Sequence, residues 1–327
     1  MTTAKLRTLA AATAAVAASL ATAAPASATP GPMPGPTVTT AYVLPGDRVY
    51  PEGIAADPRS HDVYAASWQD GTVYRMAPGH RVAERFLPPG ADGRHTANGL
   101  KVDRAGRLWV TDHTTGVAVY DTRTRRLLAR FDVPEPDRAA FVNDVALTPD
   151  GTAYLTDSTR AVVYRVTPRQ LARARAHDGR GTLTPRYDLA GEATALNGIV
   201  AAPSGRFLLT VDMESGALFR LDAGSETFRP VALRGGDLRQ GDGLELRGRT
   251  LWAVHNRDHA LSRWHLGDDG RTARQERRVT DRRLALPTTL VRERGELLVV
   301  RSQFDKGGPM GPGTPDTPFS IAAVKGL

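Results

Sequence analysis

The chain has 327 residues, a formal net charge of +8 and no cysteine, so neither a disulfide framework nor a thiolate metal site is possible. Its basic residues are almost all arginine, and they are spread through every segment and interleaved with acidic residues. Nucleic-acid-binding surfaces instead gather their basic residues on one face. Composition and charge therefore argue against a nucleic-acid partner.

Residues 1–28 have the pattern of a secretory signal peptide. Lys5 and Arg7 precede an apolar, alanine-rich run, and Ala26-Ser27-Ala28 matches an A-x-A cleavage site. We therefore expect the mature chain to begin near Thr29 and to be secreted into the extracellular space. No stretch reaches the roughly 20 apolar residues that a spanning helix needs, so we expect no membrane insertion.

A repeated unit follows the signal. Residues 29–37, rich in Pro and Gly, are predicted to form a flexible leader, and residues 38–327 a single domain. Within it a unit recurs about every 45 residues. Each unit begins with a small polar or acidic residue, here called its opener, usually followed by Gly and an apolar residue. The five clear copies begin Glu52-Gly53-Ile54-Ala55, Asn98-Gly99-Leu100-Lys101, Asn143-Asp144-Val145-Ala146, Asn197-Gly198-Ile199-Val200 and Asp242-Gly243-Leu244-Glu245, and a degenerate sixth starts near Pro287-Thr288-Thr289-Leu290.

Each unit contains several short apolar runs separated by polar turns. Runs such as Leu108-Trp109-Val110 and Val117-Ala118-Val119-Tyr120 are typical of β-strands. Four short antiparallel strands per unit is the period of a propeller blade. The sequence therefore predicts an all-β fold, a six-bladed β-propeller of four-stranded antiparallel blades. Residues 38–44 are predicted to complete the sixth blade and close the ring, and residues 168–175 to form an exposed helical insertion.

The openers predict a metal site. The first strand of each propeller blade lines the central channel, so equivalent positions form a ring. Two carboxylates and three amides meeting there would be costly without a partner. A hard divalent cation satisfies oxygen ligands, and calcium suits this set better than zinc. For any single Asn-Gly pair a turn remains the alternative. The predicted ring consists of Glu52, Asn98, Asn143, Asn197 and Asp242.

A second ring of residues follows from strand direction. The second strand of each blade returns to the face where the first began, so the loops after it lie over the same mouth of the channel. Aromatic, His and Met side chains in these loops are predicted to form the wall of a substrate pocket, with ordinary exposed loop residues as the alternative. The predicted substrate-binding residues are Asn98, Trp68, His113, Met213 and His255.

The openers resemble those of the SMP-30/gluconolactonase family, also called regucalcin-like proteins, over most of the predicted domain. The resemblance implies that Glu52, Asn197 and Asp242 bind a divalent metal, and that Asn143 joins the ligand set or contacts substrate. It also implies metal-assisted hydrolysis of a lactone or ester-like bond, in which Asp242 acts as general base or nucleophile and Asn143 assists. Thr288 and Thr289 depart from the family, which can carry a His in the sixth blade.

Three functions remain open from the sequence. The first is a calcium-dependent lactonase or esterase that acts on a small-molecule substrate, as a monomer, outside the cell. The second is a non-catalytic secreted propeller that binds a ligand or partner and holds a structural metal. The third is a metal-free propeller related to strictosidine synthase, with Glu52 as a lone acid or base. Serine-hydrolase and nucleotide-binding motifs are missing from the sequence.

Overall fold

Strand pairing divides the protein into six small sheets. The structure is a computed structural model and describes residues 1–2 and 35–327. Most of the predicted signal peptide and residues 29–34 of the predicted leader lie outside the described residues. Thr37, the last residue assigned to the leader, already belongs to the first strand.

The described chain contains twenty-six strands, one α-helix and three short 3-10 turns. The strands of the first half are β1 (Thr37–Leu44), β2 (Pro51–Ala56), β3 (Val63–Ser67), β4 (Val73–Met76), β5 (Glu84–Leu87), β6 (Leu100–Val102), β7 (Arg107–Asp112), β8 (Gly116–Asp121), β9 (Leu127–Asp132), β10 (Val142–Leu147), β11 (Ala153–Asp157), β12 (Val162–Val166), β13 (Arg180–Thr182) and β14 (Thr184–Asp188). Those of the second half are β15 (Leu196–Ala201), β16 (Phe207–Asp212), β17 (Leu218–Asp222), β18 (Phe228–Pro230), β19 (Ala232–Arg234), β20 (Gly241–Arg247), β21 (Thr250–His255), β22 (Ala260–Gly267), β23 (Thr272–Thr280), β24 (Pro287–Glu293), β25 (Glu296–Arg301) and β26 (Phe319–Lys325). The helix is α1 (Pro168–Ala176), and the 3-10 turns are Ala91–Gly93, Asp268–Gly270 and Arg282–Leu284.

The turn residues of the sequence explain why each strand ends where it does. In blade 2, the Asp103 carboxylate accepts the backbone N–H groups of Ala105 and Arg107, at 2.9 and 3.0 Å. Gly106 takes a φ of +76°, which a residue with a side chain rarely adopts. The chain therefore reverses between β6 and β7 with its polar backbone groups satisfied.

The six sheets form a closed six-bladed β-propeller, as predicted. Blade 1 is β2–β5, blade 2 is β6–β9, blade 3 is β10, β11, β12 and β14, blade 4 is β15–β18, and blade 5 is β20–β23. Blade 6 consists of β24–β26 and β1. The innermost strands β2, β6, β10, β15, β20 and β24 each contact the next, and β24 contacts β2. The openers therefore surround one central axis.

Two blades carry a fifth strand that the repeat did not predict. Strand β13 pairs in parallel with β9 at the outer edge of blade 2, and β19 pairs in parallel with β23 of blade 5. Each added strand has three residues: β13 comes from the connection between β12 and β14 of blade 3, and β19 from the connection between blades 4 and 5. Covering an exposed sheet edge in this way protects it from pairing with other chains.

The first and last strands of the described domain close the ring. Strand β1 pairs antiparallel with β26, from Thr37 opposite Lys325 to Leu44 opposite Phe319. The predicted closing strand is confirmed and begins one residue earlier. The core lies between adjacent blades: one cluster packs Ile54 of blade 1 with Ile321 of blade 6. No helix in the described part of the chain is long and apolar enough to cross a bilayer.

The helical insertion is confirmed, but it is less exposed than predicted. Helix α1 begins with a capping box, in which the side chains of Thr167 and Gln170 each bond the other's backbone N–H. Leu171 and Ala174 are buried in a cluster that contains Phe131 of blade 2. The insertion therefore covers part of the cleft between blades 2 and 3.

Candidate functional site

A backbone irregularity sets the direction of the opener side chains. In the pairing of β2 with β3 the register shifts between Pro51 and Ile54, on either side of Glu52. The same shift surrounds the openers Asn143, Asn197 and Asp242. Bulges of this kind re-aim a side chain and are frequent next to active sites. Here they turn the polar openers of four blades toward the axis.

The glycine after the opener is explained by the close approach of neighbouring inner strands. A Cβ atom at Gly53 would overlap the carbonyl oxygen of Asn98, and one at Gly198 would overlap that of Asp242. Both glycines lie inside strands, β2 and β15, and neither has a positive φ. Glu52-Gly53 and Asn197-Gly198 are therefore parts of strands and not of turns.

Four of the five predicted openers line one small cavity on the axis. The cavity has a volume of about 10 Å³, which is close to the space that a single water molecule requires. Each of the four is at most 8% exposed. A site of this size can hold an ion, but it cannot hold an organic substrate. The openers that line it are Glu52, Asn143, Asn197 and Asp242.

Three carboxylates line this cavity, those of Glu52, Asp144 and Asp242. Neither Glu52 nor Asp242 forms an ion pair with any Lys, Arg or His in the described range. Burial raises the pKa of Asp242 to about 8 and the Asp144 carboxylate adds to the shift, whereas hydrogen bonds from Asn256 and Asn197 act in the opposite direction. Burial also raises the pKa of Glu52 well above its ordinary value, and the charges of Asp242 and Asp144 raise it further. Like charges in a buried site favour the neutral forms unless a cation is present.

Neighbouring side chains fix the orientation of the amides. Ser158 Oγ has one hydrogen, which it donates to the Leu196 carbonyl at 2.5 Å. Ser158 Oγ must therefore accept from Asn143, whose Nδ2 lies 3.0 Å away. Asn143 Oδ1 is then left for the cavity. In blade 4, Asn197 Nδ2 lies 3.5 Å from the Met213 sulfur.

Asn256 is a site residue that the sequence did not predict. Its Nδ2 donates to Asp242 Oδ2 at 2.9 Å, so Asp242 Oδ1 remains available. A shared backbone hydrogen bond would have identified it: in four blades the residue after the second strand donates its N–H to the carbonyl two residues before the opener. These pairs are Trp68 to Tyr50, Ser158 to Phe141, Met213 to Ala195 and Asn256 to Gln240.

His255 is therefore one position away from the mouth, and its predicted substrate-binding role does not fit the structure. It is fully buried, and its Nδ1 lies 2.9 Å from the Arg239 carbonyl, to which it must donate. Its Nε2 then accepts from Ser262 Oγ at 2.7 Å, and Ser262 Oγ accepts from Trp264 Nε1. Both ring nitrogens are used within blade 5, so His255 is a structural residue of that blade.

Asp144 stands where other units carry the opener's glycine, and it ties two blades together. Its Oδ1 accepts the N–H of Val145 at 2.8 Å, and its Oδ2 accepts that of Ile199 in blade 4 at 3.0 Å. In the degenerate sixth unit, Thr288 donates to the backbone carbonyl of Glu52 at 2.7 Å. Both residues therefore position the inner strands that carry the openers.

The donor set fits a hard cation held mainly by oxygen atoms. No group of three or more His, Cys, Asp or Glu side chains in residues 35–327 is arranged to hold a metal. A cation here would depend on the carboxylates of Glu52 and Asp242 together with amide oxygens, which is the kind of set that calcium accepts. Asn98 is fully buried beside the cavity, and both atoms of its amide have no partner among the described residues. Buried amides are rarely left unpaired, so Asn98 indicates that a polar occupant belongs nearby.

Aromatic rings gather beside the entrance. The Trp68 ring stacks on the His113 imidazole, with centroids 4.8 Å apart, and on the Phe141 ring at 5.8 Å. Phe304 of blade 6 meets Trp68 edge to face, also at 5.8 Å. Burial lowers the pKa of His113, which favours a neutral ring at physiological pH. Trp68 and His113 thus belong to one cluster of rings with Phe141 and Phe304, and their substrate-binding role stays a prediction.

Solved structures of several proteins share this fold. The chain aligns with a gluconolactonase from Xanthomonas campestris at 16% identity, covering 88% of each chain with a TM-score of 0.58. It aligns with a calcium-binding regucalcin from Agrobacterium tumefaciens at 17% identity, over 88% of this chain and 98% of that one, with a TM-score of 0.58. Virginiamycin B lyase from Staphylococcus aureus gives 11% identity, coverage of 90% and 100%, and a TM-score of 0.58. No family model matches the sequence, and no curated protein sequence matches it. The resemblance drawn from the openers is thus confirmed for the fold.

Proposed function

We propose that this protein is a calcium-dependent hydrolase that cleaves a lactone or a related ester at the mouth of the propeller channel. The observation that carries the proposal is a cavity of ion size lined by the buried carboxylates of Glu52 and Asp242, neither of which has a cationic side-chain partner among the described residues. The fold likeness to a gluconolactonase and to a calcium-binding regucalcin supports the same function.

The residues of the site have distinct roles in this proposal. Glu52, Asn143, Asn197 and Asp242 would hold the ion through their oxygen atoms. A bound divalent cation polarises a substrate carbonyl and stabilises the negative charge that develops on its oxygen. Asn256 holds Oδ2 of Asp242, so Oδ1 is free to accept a proton from the attacking water. Asn143, oriented by Ser158, keeps its amide oxygen toward the reacting groups.

The entrance favours a substrate with an apolar or aromatic portion. Because the axial cavity admits only an ion, the scissile bond must lie at its rim and the rest of the substrate outside. There it would meet Trp68, His113 and Phe141, whose rings stack within 6 Å of one another. Flat apolar groups pack well on such rings. We therefore expect alkyl or aryl lactones and aryl esters to be better substrates than sugar lactones.

Activity measurements test this function. We expect the calcium-loaded protein to hydrolyse members of a panel of alkyl lactones, sugar lactones and aryl esters, and to lose activity in chelator and regain it with calcium. Asp242→Asn should lower kcat by at least about 100-fold, because Asp242 is both an ion ligand and the general base in this proposal. Asp237→Asn, on the surface of the same blade, should leave kcat unchanged. A folded, calcium-loaded protein that hydrolyses nothing in the panel would favour the alternative of a ligand-binding propeller with a structural metal.

Metal analysis separates the ion from the reaction. We expect close to one calcium per chain in the wild type and little or none in Glu52→Gln, which keeps the size of the side chain but removes its charge. Glu192→Gln changes an exposed glutamate and should retain the ion. If Glu52→Gln binds calcium as tightly as the wild type, the axial site is not where the metal binds.

We also propose that the protein acts outside the cell. The support is the sequence of residues 1–28, with its basic start, apolar run and Ala26-Ser27-Ala28. The protein should be recovered from the culture medium with an N-terminus near Thr29. Recovery of the uncleaved chain from the cytoplasm alone would contradict this.

A further inference from the structure

A second cavity lies between blades 5 and 6 and shares no lining residue with the axial cavity. It has a volume of about 510 Å³. His259 lines it from the loop between β21 and β22, and Arg282 and Arg283 line it from the connection between β23 and β24. Arg301, at the end of β25, and Lys306 complete its cationic lining. Four arginine and lysine side chains therefore converge on one space large enough for a small ligand.

Two of these four cations already have partners. Arg283 forms an ion pair with Asp281 at 2.6 Å. Lys306 forms one with Asp316, which also lines the cavity, at 2.5 Å. The two charges within each pair cancel. The net charge of the cavity therefore depends on the remaining groups.

The other two cations have no carboxylate partner among the described residues. They are Arg282, which is exposed at the edge of the cavity, and Arg301. Asp305 is the one lining carboxylate without a cationic partner in the same part of the chain. The unpaired groups thus leave an excess of positive charge in a partly enclosed space.

Arg301 is held in place without being neutralised. Its Nη1 donates to the hydroxyls of Thr40 and Ser320, at 2.8 and 3.1 Å. Its Nε is buried and has no acceptor in the described structure. Burial, together with the charge of Arg283, lowers the pKa of Arg301, although a guanidinium stays charged near neutral pH. A half-buried charge whose Nε–H has no acceptor is a favourable partner for an anion.

We propose that this cavity is a binding site for an oxyanion, a phosphate or carboxylate group, held by Arg301 and Arg282. A planar guanidinium donates two parallel N–H groups to two oxygens of such an anion, and this geometry makes arginine suited to both. The proposal does not depend on the hydrolase function, because it uses none of the residues of the axial site.

Anion binding at this site would also strengthen the closure of the ring. Arg301 lies on β25, Thr40 on β1 and Ser320 on β26, so the residues around the guanidinium come from three strands of blade 6. A ligand that binds only the folded protein stabilises it in proportion to its occupancy. Stability should therefore rise with the concentration of the anion.

The experiment titrates the full, calcium-free protein with sodium phosphate in one arm and sodium succinate in the other. Each is compared with sodium chloride of equal ionic strength, by calorimetry and by thermal unfolding. We expect saturable binding of close to one anion per chain and a rise in unfolding temperature above the chloride control. The arm that binds more tightly identifies the group as phosphate or carboxylate.

Three variants locate the binding. Arg301→Gln should weaken it roughly ten- to a hundredfold, because charge-assisted hydrogen bonds are lost. Arg282→Gln, at an exposed position without a side-chain partner in the described residues, cannot disturb folding in the same way and should also weaken it. Arg229→Gln removes an equal charge from an exposed position in blade 4 and should bind like the wild type. The proposal is overturned if neither anion binds better than chloride, or if Arg282→Gln and every folded Arg301 variant bind as the wild type does.

Discussion

Ser158 shows how a single hydroxyl can set the chemistry of the candidate metal site. Because its hydrogen goes to the Leu196 carbonyl, its oxygen can only accept, and Asn143 must turn its NH₂ toward it. The amide oxygen of Asn143 is thereby directed to the cavity before any ion binds. Ser158 is not itself a ligand in this arrangement, and its effect is one of positioning.

Removal of this hydroxyl gives the first prediction at the residue scale. In Ser158→Ala, Asn143 can rotate and present its NH₂ to the cavity, so calcium affinity should fall about ten- to a hundredfold. Calorimetric titration measures the change. Thr159→Ala alters the exposed neighbour and serves as the matched control. Unchanged calcium affinity in Ser158→Ala would show that the orientation of Asn143 does not matter for the metal.

His255 predicts a pH dependence of stability. Burial lowers its pKa in the folded protein, so between that value and about 6.5 the unfolded chain binds the proton more readily than the folded one. The contribution of neutral His255 to the free energy of unfolding is complete above about pH 6.5. It is lost as the pH falls from about 6.5 toward the lowered pKa of the folded protein. His113 is shifted in the same direction. Stability of the wild type should therefore decrease from pH 7 toward pH 5.5.

Urea unfolding of wild type and His255→Gln over this range isolates the effect. The variant should be less stable at pH 7, because the bonds to Arg239 and Ser262 are altered, and its stability should depend less on pH. Parallel pH curves for the two proteins would mean that His255 does not titrate differently in the folded state.

The residues of the candidate site could be predicted from the sequence only where they recur at the same position of each repeated unit. The openers recur at the same place in each unit, so Glu52, Asn197 and Asp242 stand out in the sequence. The mouth position has no such regularity, because Trp68, Ser158 and Asn256 share no chemistry. The sequence predicts His255 at the mouth position of blade 5, one residue before Asn256, which occupies it. Only the backbone pairing of β20 with β21 distinguishes the two.

At the scale of single elements, the contact between neighbouring inner strands is a steric constraint. Gly198 in β15 packs directly on the backbone of Asp242 in β20. Because both strands are held in their sheets, neither can move away to admit a larger side chain. The position after the opener is accordingly glycine in four of the six units, and Asp144 and Thr289 occupy it in the other two.

Gly198→Ala tests this constraint. The added methyl group would overlap the Asp242 carbonyl, so we expect a loss of about 1–3 kcal/mol in the free energy of unfolding, as for other overpacked sites. Chemical denaturation measures it. Gly224→Ala, at an exposed turn where the new atom meets nothing closer than 3.4 Å, should be close to neutral. Equal stabilities of the two variants would contradict the packing between β15 and β20.

Elements with a strong pattern could be predicted, and those without one could not. Strands such as β7 and β11 contain short runs of consecutive apolar residues between clear turns, and the capped sequence of α1 marks a helix. Strands β13 and β19 have three residues each and form because another blade offers them an edge. Nothing local in Arg180–Thr182 indicates that edge, since it belongs to a distant part of the chain.

At the scale of the whole molecule, we expect stability to depend on β1, which completes blade 6 from the opposite end of the domain. The fold class could be predicted because a unit of several short strands that recurs about every 45 residues is typical of a propeller blade, and β1 supplies the fourth strand of the sixth blade. Without β1, the unpaired edge of β26 would be exposed, with Ile321, Ala322 and Ala323 on a strand that is buried in the closed ring.

Truncation tests this role. A chain that begins at residue 45 should unfold at a much lower temperature than one that begins at residue 35, and it should aggregate because free strand edges pair with other chains. Calorimetry and light scattering report the two effects. If both chains unfold at the same temperature, β1 adds nothing to the stability of the ring.

The pairing of Thr37 with Lys325 also has a consequence for how the protein is made. Strand β1 is synthesised long before its partner β26, so during that interval the nascent chain carries an unpaired strand. Blades 1 to 5 can assemble as they emerge, but blade 6 cannot be completed until β26 has been made. Contacts between such distant parts of a chain form slowly, and a chaperone that shields β1 during this delay should increase the yield of native protein.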